Sequence, residues 1–287
     1  MMKSQAAMEY LMTYGWAILV IAVVLAALYS LGIFNPNTFA PKASAGSCEV
    51  VRPFGPTTTT DIHLEGTCTN MLPKYVTTFN GKNSYITIPL NHGSESDSFT
   101  WSIWVYPISW NPNNGGLLGQ KNSGTGAPYI IEQGTTTNPK IQFSNDGGGG
   151  SSTYVNVLYS KWQNIVGTYN YTSGIMDLYL DGVLVDTVKN NPIPRISGAT
   201  YIGYFPNSGN YFNGSMANVQ IYNKALSANQ ITALYQEGIG GDPIELTPLV
   251  TWYPLNGNAN DYSGNKNNGK EYNVGYSSTW YRTYSVP

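Results

Sequence analysis

The sequence predicts a mainly β protein, a long apolar N-terminal helix followed by an antiparallel β-sandwich. Three observations carry this. From Tyr75 onward, short runs alternate apolar and polar side chains and are punctuated by Gly, Asn, Asp and Pro, the pattern of half-buried strands joined by turns. Only 10% of residues are charged, whereas Gly (31) and Tyr (23) are abundant, which suits turn-rich sheets. Before them, Gly15 to Phe34 form one uncharged stretch, at about 20 residues long enough to cross a bilayer as a helix.

The N-terminus divides into a leader, 1–4, and a hydrophobic transmembrane or filament-core helix, 5–34. After Lys3, Glu9 is the one formal charge before Lys42. A lone acid at the edge of such a helix is costly in lipid unless a cation or water meets it. Gly15, Ala17, Ala22, Ala26 and Ala27 leave room for helices to approach closely. The plainer readings are a membrane anchor that never polymerises, with Glu9 as an acid favoured by the helix dipole, and cleavage by an ordinary signal peptidase at Ala43-Ser44-Ala45. The run Lys3-Ser4-Gln5-Ala6-Ala7-Met8-Glu9-Tyr10-Leu11 resembles the class III signal peptide of archaeal type IV pilin-like proteins. That resemblance implies cleavage by a prepilin-type peptidase between Ser4 and Gln5. Gln5 then starts the mature chain, and Glu9 compensates the terminal amine of a neighbouring copy in a homopolymeric filament. The precursor is then membrane-inserted and the product an extracellular filament.

Residues 35–74 read as a linker and a closed loop. Pro36 and Pro41 end the helix. Cys48 and Cys68 are the two cysteines of the chain. Outside the cell they would form a disulfide, stabilising a roughly 20-residue loop by about 3 kcal/mol. Metal binding by this pair with His63 lacks four-ligand spacing.

The sandwich is expected over 75–287. Val76-Thr77-Thr78-Phe79, Asn80-Gly81 and Tyr85-Ile86-Thr87-Ile88-Pro89 read as a hairpin. Phe99 to Tyr106 is a strand with aromatics at period two, and Trp162 to Tyr169 is another. Ile175 to Leu180, Asp181-Gly182 and Val183 to Asp186 form the clearest hairpin of the chain. Tyr201 to Tyr204 and Gly214 to Tyr222 follow as strands. Leu226 to Tyr235 is a short helix, capped by Ser227 and stopped by Gly238.

In this order, Phe79-Asn80-Gly81, Phe99-Thr100-Trp101-Ser102-Ile103-Trp104-Val105, the Trp162 strand, Leu178-Tyr179-Leu180-Asp181-Gly182, Phe212-Asn213-Gly214-Ser215-Met216-Ala217-Asn218-Val219 and the Leu226-Ser227 helix resemble the laminin-G-like, concanavalin A-like jelly roll. The resemblance implies a lectin-like antiparallel sandwich that binds carbohydrate or protein, sometimes with calcium. Leu249 to Asn265 is similar to the segment that opens such domains, yet here it comes late. The fold is therefore read as circularly permuted, with 249–287 folding back to supply edge strands. Strand insertion into a neighbouring subunit is the alternative.

The functional reading is adhesion or structure at the cell surface. With 14 basic and 16 acidic side chains and a net charge of −2, no basic patch for nucleic acid is visible. Catalysis finds no motif around His63 or His92, and a paired-carboxylate site would have to come from Glu95, Asp97, Glu132 and Asp146. Asn260, Asp261 and Asn265, or the Asp146 loop, could supply oxygen ligands to Ca2+, with Asx turns as the competing and favoured reading. Trp110, Tyr154, Tyr204, Phe205 and Tyr211 lie in or near Gly-, Asn- and Pro-rich loops, where they could stack on sugars. Asn170-Tyr171-Thr172 and Asn213-Gly214-Ser215 are N-glycosylation sequons.

Overall fold

Strands with one apolar face must bury it against another layer, and in this chain they do so as two facing sheets. The computed structural model describes residues 18–26, 49–51, 60–62, 72–90, 98–109, 115–120, 127–144, 152–189 and 199–284. Two units are distinguishable, Met1–Ala43 with Glu65–Thr67, and Ser44–Leu64 with Cys68–Pro287. In the first, 18–26 form a solvent-exposed helix, α1. No helix among the described residues is long and apolar enough to cross a membrane. The remainder of the expected 5–34 helix, with Ser4, Gln5 and Glu9, lies outside the described residues, as do Cys48 and Cys68.

The second unit opens with a two-stranded antiparallel ladder, β1 (Glu49–Val51) and β2 (Thr60–Ile62). Then follow β3 (Val76–Asn80), β4 (Tyr85–Ile88), β5 (Phe99–Ser109), β6 (Gly116–Gln120), β7 (Tyr129–Thr135), β8 (Asn138–Ser144) and β9 (Thr153–Asn156). The chain continues through β10 (Gln163–Asn170), β11 (Ile175–Leu180), β12 (Val183–Lys189), β13 (Thr200–Ile202), β14 (Tyr204–Phe205), β15 (Asn210–Tyr211) and β16 (Asn213–Tyr222). Helix α2 (Ala228–Gln236) and strands β17 (Leu249–Tyr253), β18 (Lys270–Tyr272) and β19 (Gly275–Ser277) complete it. The first sheet has the order β12-β11-β10-β5-β16-β3-β19, with β17 also on β16. The second has β18-β4-β13-β6-β7-β8-β9, with the β14–β15 ribbon beside β6. This is an antiparallel two-sheet sandwich of the jelly-roll type.

Alternation places the core. Phe99, Trp101, Ile103 and Val105 of β5 point inward against Ile86, Ile88, Ile130, Ile141, Phe143 and Ile202 of the opposite sheet. The other face of the first sheet is buried too. Helix α2 lays Ile231, with Leu226 just before it, among Val166, Tyr179, Tyr222 and Trp252, while Trp280 and Ile239 join Trp104 and Trp162. The helix begins as expected: Ser227 accepts from the Gln230 N–H and Gln230 reciprocates, a capping box. Gly238, at φ +78°, follows its end. Beneath it, Asn218 Oδ1 accepts from Trp252 Nε1 at 2.8 Å and Gln220 Nε2 at 2.9 Å, and its Nδ2 donates to Gly241 O at 2.9 Å. These buried polar groups are paired, which unpaired would each cost about 1–3 kcal/mol.

The Asp181-Gly182 turn is a two-residue hairpin with both residues at positive φ (51° and 77°). Asp181 Oδ1 also accepts from Asn164 N at 2.8 Å, and burial raises its carboxyl pKa. The expected hairpin over 76–89 is corrected. Strand β3 pairs with β16 and β19, whereas β4 pairs with β13 and β18. Residues 80–84 are thus an arch from one sheet to the other. The Asn80 carboxamide builds it, its Oδ1 accepting from the N–H groups of Lys82, Asn83 and Ser84 at 2.9, 3.0 and 3.3 Å.

A second arch lies against the first. Between β18 and β19, Asn273 turns at φ +51°, its carbonyl accepts from Ser84 Oγ at 2.6 Å, and its Nδ2 donates to Asn83 O at 3.3 Å. The C-terminal strands thereby take an edge position in each sheet, β18 on β4 and β19 on β3, and β17 pairs with β16, all within one chain.

Candidate ligand-binding face

Since Ile86 and Ile202 point into the core, the alternating neighbours Tyr85 and Tyr201 point away from it. Glycines carry the chain onward from there. Gly203, at φ +80°, packs so closely on Phe79 that an added Cβ would lie 2.3 Å from its ring. At Gly116 a Cβ would lie 2.2 Å from the backbone of Tyr204 and Phe205. The bare backbone lets the β14–β15 ribbon lie directly against β6, with Phe205 buried on Tyr129 at a centroid distance of 4.9 Å.

This geometry gathers five half-buried tyrosines, Tyr85, Tyr201, Tyr204, Tyr211 and Tyr272. Tyr85 and Tyr272 stack at 4.5 Å with 12° between planes, and Tyr204 and Tyr211 at 4.6 Å with 27°. Tyr85 links the pairs, 5.5 Å from Tyr204 and 6.2 Å from Tyr211, and Tyr201 lies 6.1 Å from Tyr85 and 5.5 Å from Tyr204. Lys270 Nζ sits 5.2 Å from the Tyr272 ring centre, within cation–π range. Burial, then the neighbouring phenols, raises the pKa of Tyr85 and of Tyr204. Both stay neutral near pH 7, with O–H groups able to donate and accept. The face combines apolar ring surface with wet polar tips, chemistry matched to a ligand with alternating C–H and O–H surface.

Of the stacking residues expected from sequence, Tyr204 and Tyr211 meet here. Phe205 is buried as packing, and Trp110 lies outside the described residues. Tyr154 is exposed on β9, five strands from β4, about 24 Å away at ~4.8 Å per strand. It belongs to a different part of the surface, and its backbone N–H donates to Asp186 Oδ2 at 2.8 Å. Tyr85, Tyr201 and Tyr272 join the face without lying in such Gly-, Asn- and Pro-rich loops. Their outward positions in Tyr85-Ile86-Thr87-Ile88 and Thr200-Tyr201-Ile202 were the available signal.

The expected calcium donors form a turn. Asp261 Oδ1 accepts from Trp252 N at 2.9 Å and Ser263 N at 3.0 Å, and Oδ2 from Asn267 N at 2.9 Å. Asn265 turns its amide nitrogen to Leu249 O and Val250 O at 3.1 and 2.9 Å, so its donor end faces those carbonyls. Asn260 N donates to Asn258 Oδ1 at 2.9 Å. No group of three or more His, Cys, Asp or Glu among the described residues could hold a metal ion. Glu132 is buried on β7, while Glu95, Asp97 and Asp146 lie outside the described residues, as do His63 and His92. Of the sequon asparagines, Asn170 is exposed at a hairpin and Asn213 sits within β16.

A two-sheet jelly roll with an aromatic outer face defines a lectin-like sandwich. Residues 80–232 match the profile of the concanavalin A-like lectin/glucanases superfamily in its laminin-G form, and the chain belongs to that family. It is similar to the zebrafish (Danio rerio) adhesion G-protein coupled receptor V1, 25% identical over 167 residues. That match takes in 54% of this chain and 3% of the receptor's length. Among solved structures it resembles a Bacteroides ovatus protein proposed to bind carbohydrate, with TM-score 0.56 and 20% identity over 72% of this chain and 61% of that one. A heptameric SAP-like pentraxin from Limulus polyphemus aligns at TM-score 0.45 and 15% identity, over 69% of this chain and 94% of the pentraxin.

Proposed function

We propose that this protein is a non-enzymatic surface adhesin whose sandwich binds carbohydrate on the tyrosine face, carried outward by its N-terminal apolar segment. The single observation behind the binding reading is the convergence of Tyr85, Tyr201, Tyr204, Tyr211 and Tyr272 from three strands and the β14–β15 ribbon onto one outer surface. Family membership supports it, as does the fold shared with the Bacteroides ovatus protein. The N-terminal sequence supports display as a pilin-like filament subunit: cleavage after Ser4 frees Gln5, Glu9 compensates the new amine of a neighbouring copy, and the apolar helices leave lipid to pack on one another.

The binding reading is tested with the full chain in detergent on immobilised neutral oligosaccharides. Tyr204→Ala or Tyr272→Ala lowers affinity about tenfold, ~1.4 kcal/mol, and Tyr154→Ala leaves it unchanged. Equal losses for all three, or no glycan bound by the wild type, removes the assignment. The display reading is tested by sequencing the terminal peptide of chain recovered from cell surfaces. A start at Gln5 supports assembly, and a start at Met1 supports a membrane-anchored receptor that does not polymerise.

A further inference from the structure

The two sequons are alike in sequence and unlike in geometry. Asn170 ends β10 at the tip of the β10–β11 hairpin, where Asn170, Tyr171, Thr172 and Ser173 are all exposed. Its Oδ1 accepts from Ser173 N at 3.1 Å and its carbonyl from Gly174 N at 2.8 Å, which orders the tip while leaving Nδ2 without a hydrogen-bond partner among the described residues. Tyr171 N is tied to Ser98 Oγ at 3.0 Å. Asn213 lies inside a sheet, opposite Asn80 on one side and Ser109 on the other. Its Nδ2 already donates to Ser109 Oγ at 2.6 Å, and Gly81 packs so tightly over it that an added Cβ would lie 2.8 Å from Asn213 Cβ.

We infer that Asn170 carries an N-linked glycan and Asn213 does not. Transfer forms the bond from Asn170 Nδ2 to C1 of a lipid-phosphate-linked oligosaccharide. The C1–O bond to phosphate breaks, its electron pair leaves with the lipid phosphate, and Nδ2 gives up one proton. Strand register places the glycan away from the tyrosine face. Phe99 pairs with Tyr169 at one end of β5, and Ser109 with Asn213 at the other. The two asparagines are therefore about 33 Å apart at ~3.3 Å per residue. A glycan on Asn213, two residues from Tyr211, would crowd that face, whereas one on Asn170 leaves it open.

The inference rests on surface display, since the transferase and its donor act outside the cytoplasm. The experiment labels intact producing cells with a membrane-impermeant amine reagent, recovers the full chain and maps glycopeptides by tandem mass spectrometry. Labelled chain with sugar mass on the Asn170 peptide, a bare Asn213 peptide, loss of that mass in Thr172→Ala and its retention in Thr172→Ser are the expected results. Labelled chain with a bare Asn170, or with sugar on Asn213, overturns the inference while leaving display intact. Unlabelled chain overturns display, and the glycan with it.

Discussion

Replacing Asp261 by alanine distinguishes a turn lock from a calcium ligand. The carboxylate accepts three backbone N–H groups, from Trp252, Ser263 and Asn267, and so ties β17 to the loop leading to β18. A hydrogen bond to a charged group contributes about 1.5–3 kcal/mol. Asp261 is partly exposed, and bonds that share one acceptor do not add, so the expected loss is about 3 kcal/mol in total. For a domain of this size that is a fall in Tm of roughly 6–12 °C. Asp261→Asn keeps Oδ1 for Trp252 and Ser263 but opposes an NH2 to the Asn267 N–H, and should lose about half as much. Calorimetry of wild type and both variants, with Ca2+ and with EGTA, is the assay. The lock requires the same loss in both buffers. A loss below about 1 kcal/mol for the alanine variant, or a wild-type Tm that drops in EGTA while the variants do not respond, would refute it.

Alkaline pH should unfold the sandwich through its buried phenols. Burial pushes Tyr284 up to about 12 and also raises Tyr253 and Tyr276, against about 10 in the unfolded chain. The stabilisation is complete below pH ~10 and is lost as pH rises toward the folded value, and Tyr284→Phe should flatten that decline in a 295 nm titration followed alongside circular dichroism. Gly203→Ala and Gly209→Ala compare two positive-φ glycines, at +80° and +73°. An added Cβ meets the Phe79 ring at 2.3 Å at Gly203 and nothing within 4 Å at Gly209. Urea titration should show about 1 kcal/mol lost at Gly209 and about 3 at Gly203, and equal losses would show that the Phe79 contact is soft.

Period-two patterning made β5, β10, β11 and β16 legible, and paired turn or cap residues did the same for Asp181-Gly182 and Ser227. What sequence could not reveal were partners. Asn80-Gly81 is the same local signal whether the chain turns back within a sheet or arches to the other one. The choice is made by β16 and β13, more than a hundred residues away. Strand β6 carries no period-two signal, because Gly116-Leu117-Leu118-Gly119-Gln120 is buried throughout. The binding face followed the same rule. Loop composition picked out Tyr204 and Tyr211, but their meeting with Tyr85, Tyr201 and Tyr272 depends on a sheet order that no local pattern encodes. Asp261 among asparagines is the same local signal for a cation ligand and for an Asx turn, because a carboxylate has oxygens to offer to either. In the folded chain they accept from the N–H groups of Trp252, Ser263 and Asn267.

The paired arches have a consequence for biogenesis. Thr78 finds Gly275 and Thr87 finds Lys270, so the earliest strands of the sandwich acquire their outer neighbours only when its last strands have been synthesised. At about 5–20 residues per second, a nascent chain spends roughly ten seconds or more with β3 and β4 unpaired along one side. Such contacts are slow to form, and open edges invite pairing with another chain. A chaperone or translocation machinery that delays contact between neighbouring chains through that interval would raise the yield of folded protein more than any change to the core.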